Sequence, residues 1–138
     1  MALDPATYAK AGTEHANQVA LFMWASLPEQ QSKFPELKLM FAIPNGGERN
    51  KVVATRLKAE GVKSGVPDIF LPVPRHGRAG LFIELKRPKS DGKAKGRASD
   101  KQSDWATNLQ NQNFGVFLAE GWEAARDVII LYLSKESG

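Results

Sequence analysis

The apolar residues of this chain recur with two periods, and the alternation between them sets out its elements. Val19, Ala20, Met23 and Leu27 are spaced as on one side of a helix, which predicts a helix beginning at Thr13 and stopping at Pro28. Thr13 suits the N-cap. Glu14 then falls in the first turn, where a carboxylate is favoured by the helix dipole, and it shares a stripe with Gln18 and Leu21. Residues 1–12 carry little signal, and Glu29 to Lys38 reads as a polar connection. Leu39-Met40-Phe41-Ala42-Ile43, bounded by Pro44, has the pattern of a buried strand. A turn at Asn45-Gly46-Gly47 leads to a helix over 48–60. Val52, Val53 and Leu57 form its apolar side, and Gly61 its C-terminal cap. Arg49, Lys51, Arg56 and Lys58 lie on or near the polar side, which by itself is a solvated face.

The next stretch, Gly65 to Arg87, changes to period two. Asp68-Ile69-Phe70-Leu71, entered through Pro67, and Leu81-Phe82-Ile83-Glu84-Leu85-Lys86 read as the arms of a β-hairpin. The loop between them has proline, arginine and glycine turn chemistry. Strand side chains alternate, so Leu81, Ile83 and Leu85 share one face and Phe82, Glu84 and Lys86 the other. Symmetric pairing about His76 sets Leu71 opposite Leu81 and Asp68 opposite Glu84.

A basic, glycine-containing segment, Pro88 to Ala98, follows and has the composition of a mobile loop. Ser99 then opens a helix to about Gln110, carrying Trp105, Ala106 and Leu109. Ser99 and Gln102 fit a capping box, which gives Gln102 a complete structural role. Phe114 to Ala119 is nearly all apolar and reads as a central or buried strand. Gly121 breaks it, Trp122 to Leu133 is an amphipathic closing helix, and the tail 134–138 is expected to fray. The order is α-β-α-β-β-α-β-α, an α/β architecture with a mixed sheet and helices on its faces.

Composition narrows the chemistry. A chain of 138 residues that is 42% apolar and 25% charged is an ordinary soluble globular domain, one unit spanning 1–138 with its core at about 14–133. No apolar run approaches the ~18 residues of a membrane span. The N-terminus lacks the basic and apolar regions of a signal peptide, so a cytoplasmic location is expected. There is no cysteine and there are two histidines, which excludes disulfides, thiol catalysis and the usual structural zinc sites. A metal here would be held by oxygen, which favours Mg²⁺ or Mn²⁺.

The carboxylates of the hairpin supply such oxygens. Directly opposed residues on antiparallel strands have Cβ atoms roughly 4.5–5.5 Å apart, and two carboxylates that close repel unless a cation lies between them. Asp68 and Glu84 are therefore candidate metal ligands, and the backbone carbonyl of Leu85 could add a third. Lys86, on the face of Glu84, could orient a water or stabilise charge on a phosphorane. The net charge of +4 is concentrated nearby. Lys86, Arg87, Lys89, Lys93, Lys95, Arg97 and Lys101 against Asp91 and Asp100 give +5 over residues 86–101, so the rest of the chain sums to −1. A basic segment beside a carboxylate pair suits a polyanion cut at a metal. A charge run taken alone is more often a solvated loop.

Pro67-Asp68 followed by Glu84-Leu85-Lys86 on the next strand resembles the signature of the PD-(D/E)XK nuclease superfamily. With I-P-N-G-G at 43–47, A-E-G-V-K-S-G-V-P-D-I-F-L-P at 59–72 and G-L-F-I-E-L-K-R-P at 80–88, the chain closely resembles the VRR-NUC branch. That branch includes stand-alone bacteriophage proteins and the nuclease domain of a Fanconi-associated repair enzyme. The resemblance implies a restriction-endonuclease-like αβββαβ core, with the helix 48–60 inserted between the first two strands. It implies Asp68 and Glu84 as metal ligands and Lys86 as the catalytic lysine. Glu14 would be the helix acid that completes the metal site directly or through water, and Gln102 a glutamine near the metal or scissile phosphate. Arg49 would contact phosphate, as Arg87, Lys93, Lys95 and Arg97 would by their charge.

The leading expectation is thus a Mg²⁺- or Mn²⁺-dependent, structure-specific DNA endonuclease. The superfamily's resolvases of similar size imply a homodimer acting on Holliday junctions, since two symmetric cuts suit a two-fold axis. The alternatives are a flap or nicking nuclease and a DNA-binding accessory module that does not cut. A folding or assembly protein with a basic surface has no positive support. Dependence on a divalent metal separates cutting from binding.

Overall fold

The computed structural model describes residues 4–44, 50–89 and 97–134. The expected turn at 45–47, Arg49, Lys93, Lys95, most of the basic loop and the last four residues of the tail lie outside the described residues. The elements run α1 (Pro5–Ala9), α2 (Glu14–Ala25), α3 (Pro28–Lys33), a 3₁₀ turn (Pro35–Leu39), β1 (Phe41–Ala42), α4 (Lys51–Ala59), β2 (Ile69–Leu71), β3 (Leu81–Lys86), α5 (Asp100–Asn111), β4 (Gly115–Glu120) and α6 (Trp122–Ser134). The strands form one sheet in the order β1-β2-β3-β4. The first two pairings are antiparallel and the third is parallel. This is the expected mixed α/β sheet, with α4 inserted between β1 and β2 and the α5 crossover returning the chain to lie parallel to β3.

The hairpin has the register that symmetry about His76 requires, with Leu71 opposite Leu81 and Ile69 opposite Ile83. Ile69, Leu71, Leu81, Ile83 and Leu85 turn to one face and pack with Ala20, Leu21 and Trp24 of α2 and Ala125, Ile129 and Leu133 of α6. Burying one such Leu or Ile side chain contributes about 1.5–3 kcal/mol, and this layer fixes β3 as the centre of the sheet. Two polar residues lock it. Asn17 accepts the Trp122 N–H at 3.0 Å and donates to the Thr13 carbonyl at 2.8 Å, which supplies a partner for a helix-start amide of α6. The Tyr132 hydroxyl donates to the Val73 carbonyl at 2.6 Å and ties the hairpin loop to α6.

Several elements differ from the sequence reading. The N-terminal residues form α1, with the Asp4 side chain accepting the Thr7 N–H at 2.7 Å as its cap. Pro28 does not merely stop α2, which ends at Ala25; it starts α3 at a position where its missing N–H costs nothing. Pro35 does the same for the 3₁₀ turn, so the expected connection 29–38 is mostly helical. The first strand shrinks to Phe41–Ala42 and is exposed rather than buried, because it is the outer strand of the sheet. Asn50 caps α4, which therefore begins at Lys51 and buries none of its residues. β4 departs most. It forms the opposite edge of the sheet rather than its centre, and Phe117 and Leu118 are 51% and 45% exposed. An all-apolar strand can border a sheet when only one of its sides finds a partner, and here that partner is β3.

Candidate active site

The site lies where the β2–β3 ladder ends. Gly65 has φ +91° and its Cα approaches α5 so closely that a Cβ would lie 2.9 Å from the Lys101 Cβ. Only glycine fits both conditions. This contact seats residues 61–67 against the start of α5, and Pro67 beyond it is fully buried. The chain thus reaches Asp68 held on both sides. Its carbonyl accepts the Ile43 N–H at 2.7 Å. Asp68 does not extend the regular ladder; its side chain does so instead. Oδ2 accepts the Leu85 N–H at 2.9 Å, and the Asp68 N–H donates to Glu84 Oε2 at 3.2 Å.

Glu84 and Lys86 occupy the central strand on the face away from the α2–α6 core, 5% and 7% exposed. The Lys86 Nζ is 3.7 Å from Glu84 Oε1. The Gln102 side-chain amide donates to that same oxygen, while its carbonyl accepts the Ser99 N–H at 2.9 Å. Capping α5 fixes the Gln102 side chain that then reaches Glu84. Beyond the acids on this face lies an aromatic cluster, with Phe70 stacked on Phe82 at 4.2 Å and Phe114 edge-on to both. These rings give the carboxylates an apolar flank.

Burial raises both acids. Glu84 is pushed up to about 8, first by burial and then by the charge of Asp68, with Lys86 pulling the other way. Asp68 is raised by burial against the lowering bonds from Leu85 and Glu84. Two carboxylates that resist ionisation together form a site short of positive charge, and hard oxygen donors on rigid strands suit Mg²⁺ or Mn²⁺. The Leu85 N–H points toward β2, and along a strand the carbonyl of the same residue points the same way. Asp68, Glu84 and the Leu85 carbonyl would hold such an ion, with water completing its shell.

The remaining expected residues lie apart from this cluster. Glu14, exposed in the first turn of α2, lines a recess of about 510 Å³ with Gly12, Thr13 and Arg87. The structure does not bring it against Asp68 and Glu84; among the described residues no three His, Cys, Asp or Glu side chains gather where they could hold one ion. Arg87 follows β3 directly, half-buried, and among the described residues its Nε has no hydrogen-bond partner. Arg97 is exposed just before α5. One neighbour of the site went unread in the sequence. The parallel register sets Glu120 beside Lys86. No local signal reveals it, since the α5 crossover fixes that register.

A family model described as the VRR-NUC domain matches residues 42–123, more than half of the chain and all of Asp68, Glu84, Lys86 and Gln102. A solved structure described as a VRR_NUC domain protein superposes with a TM-score of 0.71 at 24% identity, over 90% of each chain, which shows a shared fold. No curated protein matches the chain. No helix among the described residues is long and apolar enough to cross a membrane.

Proposed function

This chain belongs to the VRR-NUC domain family of nucleases, and we propose that it is a Mg²⁺- or Mn²⁺-dependent endonuclease that hydrolyses phosphodiester bonds in branched DNA. The observation that carries this reading is the arrangement around Glu84. Two raised carboxylates meet at the end of a ladder, with a lysine and a glutamine on one oxygen of Glu84. A bound divalent cation would polarise the phosphate and lower the pKa of an attacking water. The chain's own residues do the rest. Asp68 and Glu84 orient the donor oxygens, and Gln102 fixes the Glu84 carboxylate from a capped helix. Lys86, held nearby, stabilises negative charge as it develops on the phosphate oxygens. Arg87 and Arg97, with Arg49, Lys93 and Lys95, would contact the DNA backbone. Glu14 would reach the site only through water or with DNA bound.

A preference for shape over sequence would follow if these basic residues contact the DNA backbone, because such contacts carry no base information. Junction cleavage by a homodimer in the cytoplasm is the form of this reading we favour. The outer edge of β4 supports a second copy. It carries exposed Phe117 and Leu118, and neither a proline nor a lysine blocks strand addition. Flap or nicking activity is the alternative.

The test is cleavage of matched four-way junction, flap, single-stranded and duplex DNA with Mg²⁺, Mn²⁺ or chelator, beside Asp68→Asn. Metal-dependent cutting lost in the variant is expected. Paired symmetric cuts in the junction mark a resolvase, and cuts only at flaps mark the alternative. Tight binding without cutting in any lane leaves an accessory DNA-binding module.

A further inference from the structure

Lys86 is a buried ammonium that, among the described residues, forms its ion pair with Glu84 at 3.7 Å, and Asp68 also feels its charge. The same Glu84 oxygen also takes the Gln102 amide, and the other oxygen takes the Asp68 N–H. If Glu84 and Asp68 together ligate a divalent cation, their charge is spent there. Lys86 would then be left buried beside a dication without a partner, and an unpaired buried charge is strongly unfavourable. The sheet supplies a replacement. Lys86 and Glu120 are register partners on parallel strands, so both side chains rise from the same face. Adjacent strands lie about 4.8 Å apart, a gap that flexible Lys and Glu side chains easily bridge. Glu120 is exposed, and among the described residues its carboxylate engages no hydrogen bond or ion pair. It is a carboxylate in reserve beside the one residue whose partner the proposed chemistry removes.

We propose that Glu120 is a positioning residue for Lys86, taking over its ammonium when Glu84 turns to the metal. The inference rests on the metal-nuclease reading and assigns a device inside it. Glu120 draws Lys86 off Glu84, which frees that carboxylate for the cation and holds the ammonium at the edge where a scissile phosphate would lie. Glu120 itself touches neither metal nor phosphate.

A double-mutant cycle on Mn²⁺ affinity, read by calorimetry without DNA, tests this. The proteins are wild type, Glu120→Gln, Lys86→Met and the double variant, with Glu120→Asp as the conservative control. Circular dichroism checks that each is folded. Glu120→Gln is expected to weaken Mn²⁺ binding about three- to five-fold, the worth of one partly solvated ion pair. It should have little effect in the Lys86→Met background, and Glu120→Asp should recover most of the affinity. An equal loss in both backgrounds overturns the inference, because Glu120 would then act on the metal directly. No loss in either background overturns it as well. A wild-type protein that takes up no Mn²⁺ overturns the metal reading itself, and this inference with it.

Discussion

Raising the pH of the metal-free protein should destabilise it, and the acid pair at the end of the hairpin is the reason. Glu84 moves from an ordinary 4.5 to about 8 in the folded chain, mainly through burial and the neighbouring Asp68. The folded state therefore keeps a proton that the unfolded chain releases. The stability this provides is fully present below pH 4.5 and is lost as pH rises through about 8. Taken in full, the change corresponds to about 5 kcal/mol. The proton belongs to the Asp68–Glu84 pair rather than to one residue, and solvent screens the site, so on the order of 2 kcal/mol is expected to appear. For a chain of 138 residues, each kcal/mol moves the melting midpoint by roughly 3.5 °C. The metal-free midpoint should thus fall by about 7 °C between about pH 5 and pH 8.5.

Melting by circular dichroism in chelator, with Glu84→Gln beside wild type, isolates this effect. Glutamine keeps the shape of the protonated acid, with a donating nitrogen and an accepting oxygen, and never ionises. His15 and His76 are present in both proteins and cancel in the difference. Wild type should match the variant near pH 5 and melt below it near pH 8.5. Excess Mn²⁺ should reverse the order at high pH, because the cation replaces the proton and binds only the ionised acids. A difference between the two melting curves that does not change with pH would refute the argument.

Gly65→Ala should cost about 2–4 kcal/mol in denaturant unfolding, since a Cβ there meets Lys101 in a backbone conformation alanine avoids; an unchanged midpoint would show that the 61–67 segment does not need α5. Tyr132→Phe should cost about 1–2 kcal/mol by leaving the buried Val73 carbonyl unpaired, with cutting unaffected because that bond lies at the opposite end of the hairpin. Neutralising Lys93, Lys95 and Arg97 together should reduce the slope of log affinity against log salt by about 2–3 for duplex DNA; an unchanged slope would remove this segment from the interface.

The hairpin was legible because two local rules agreed. Side-chain alternation placed Glu84 and Lys86 on one face, and symmetry about His76 gave a register that the structure keeps. Gln102 was legible as a cap, and the structure shows that the same capping side chain also bonds Glu84. What escaped the sequence were features that depend on neighbours distant along the chain. Phe114 to Ala119 reads as buried because its residues are apolar, but hydropathy does not say whether a strand has one partner or two. Parallel pairing across the α5 crossover likewise hides the approach of Glu120 to Lys86, and the distance between Glu14 and the acid pair depends on how α2 lies across the sheet.

The position of the acid pair follows from how the sheet ends. At Asp68 the backbone ladder of β2 stops, yet the Leu85 N–H opposite still needs an acceptor. A carboxylate oxygen takes that place at 2.9 Å, and the second oxygen of the same group remains uncommitted to the backbone. Glu84 repeats the arrangement in reverse, with one oxygen on the Asp68 N–H and the other on Gln102. Each acid is thus fixed through a bond that the fold requires. Asp68→Ala or Glu84→Ala would therefore remove a structural acceptor together with a proposed metal donor, so lost cutting in either is also the expected result of a frayed hairpin. Asp68→Asn separates the two effects. Its amide oxygen can still accept the Leu85 N–H, while the charge that a divalent cation needs is gone. Metal binding and cutting should fall in Asp68→Asn with the chelator-treated melting midpoint no lower than wild type. A midpoint that drops as far as in Asp68→Ala would mean that the negative charge itself, rather than the hydrogen bond, closes the sheet at this end.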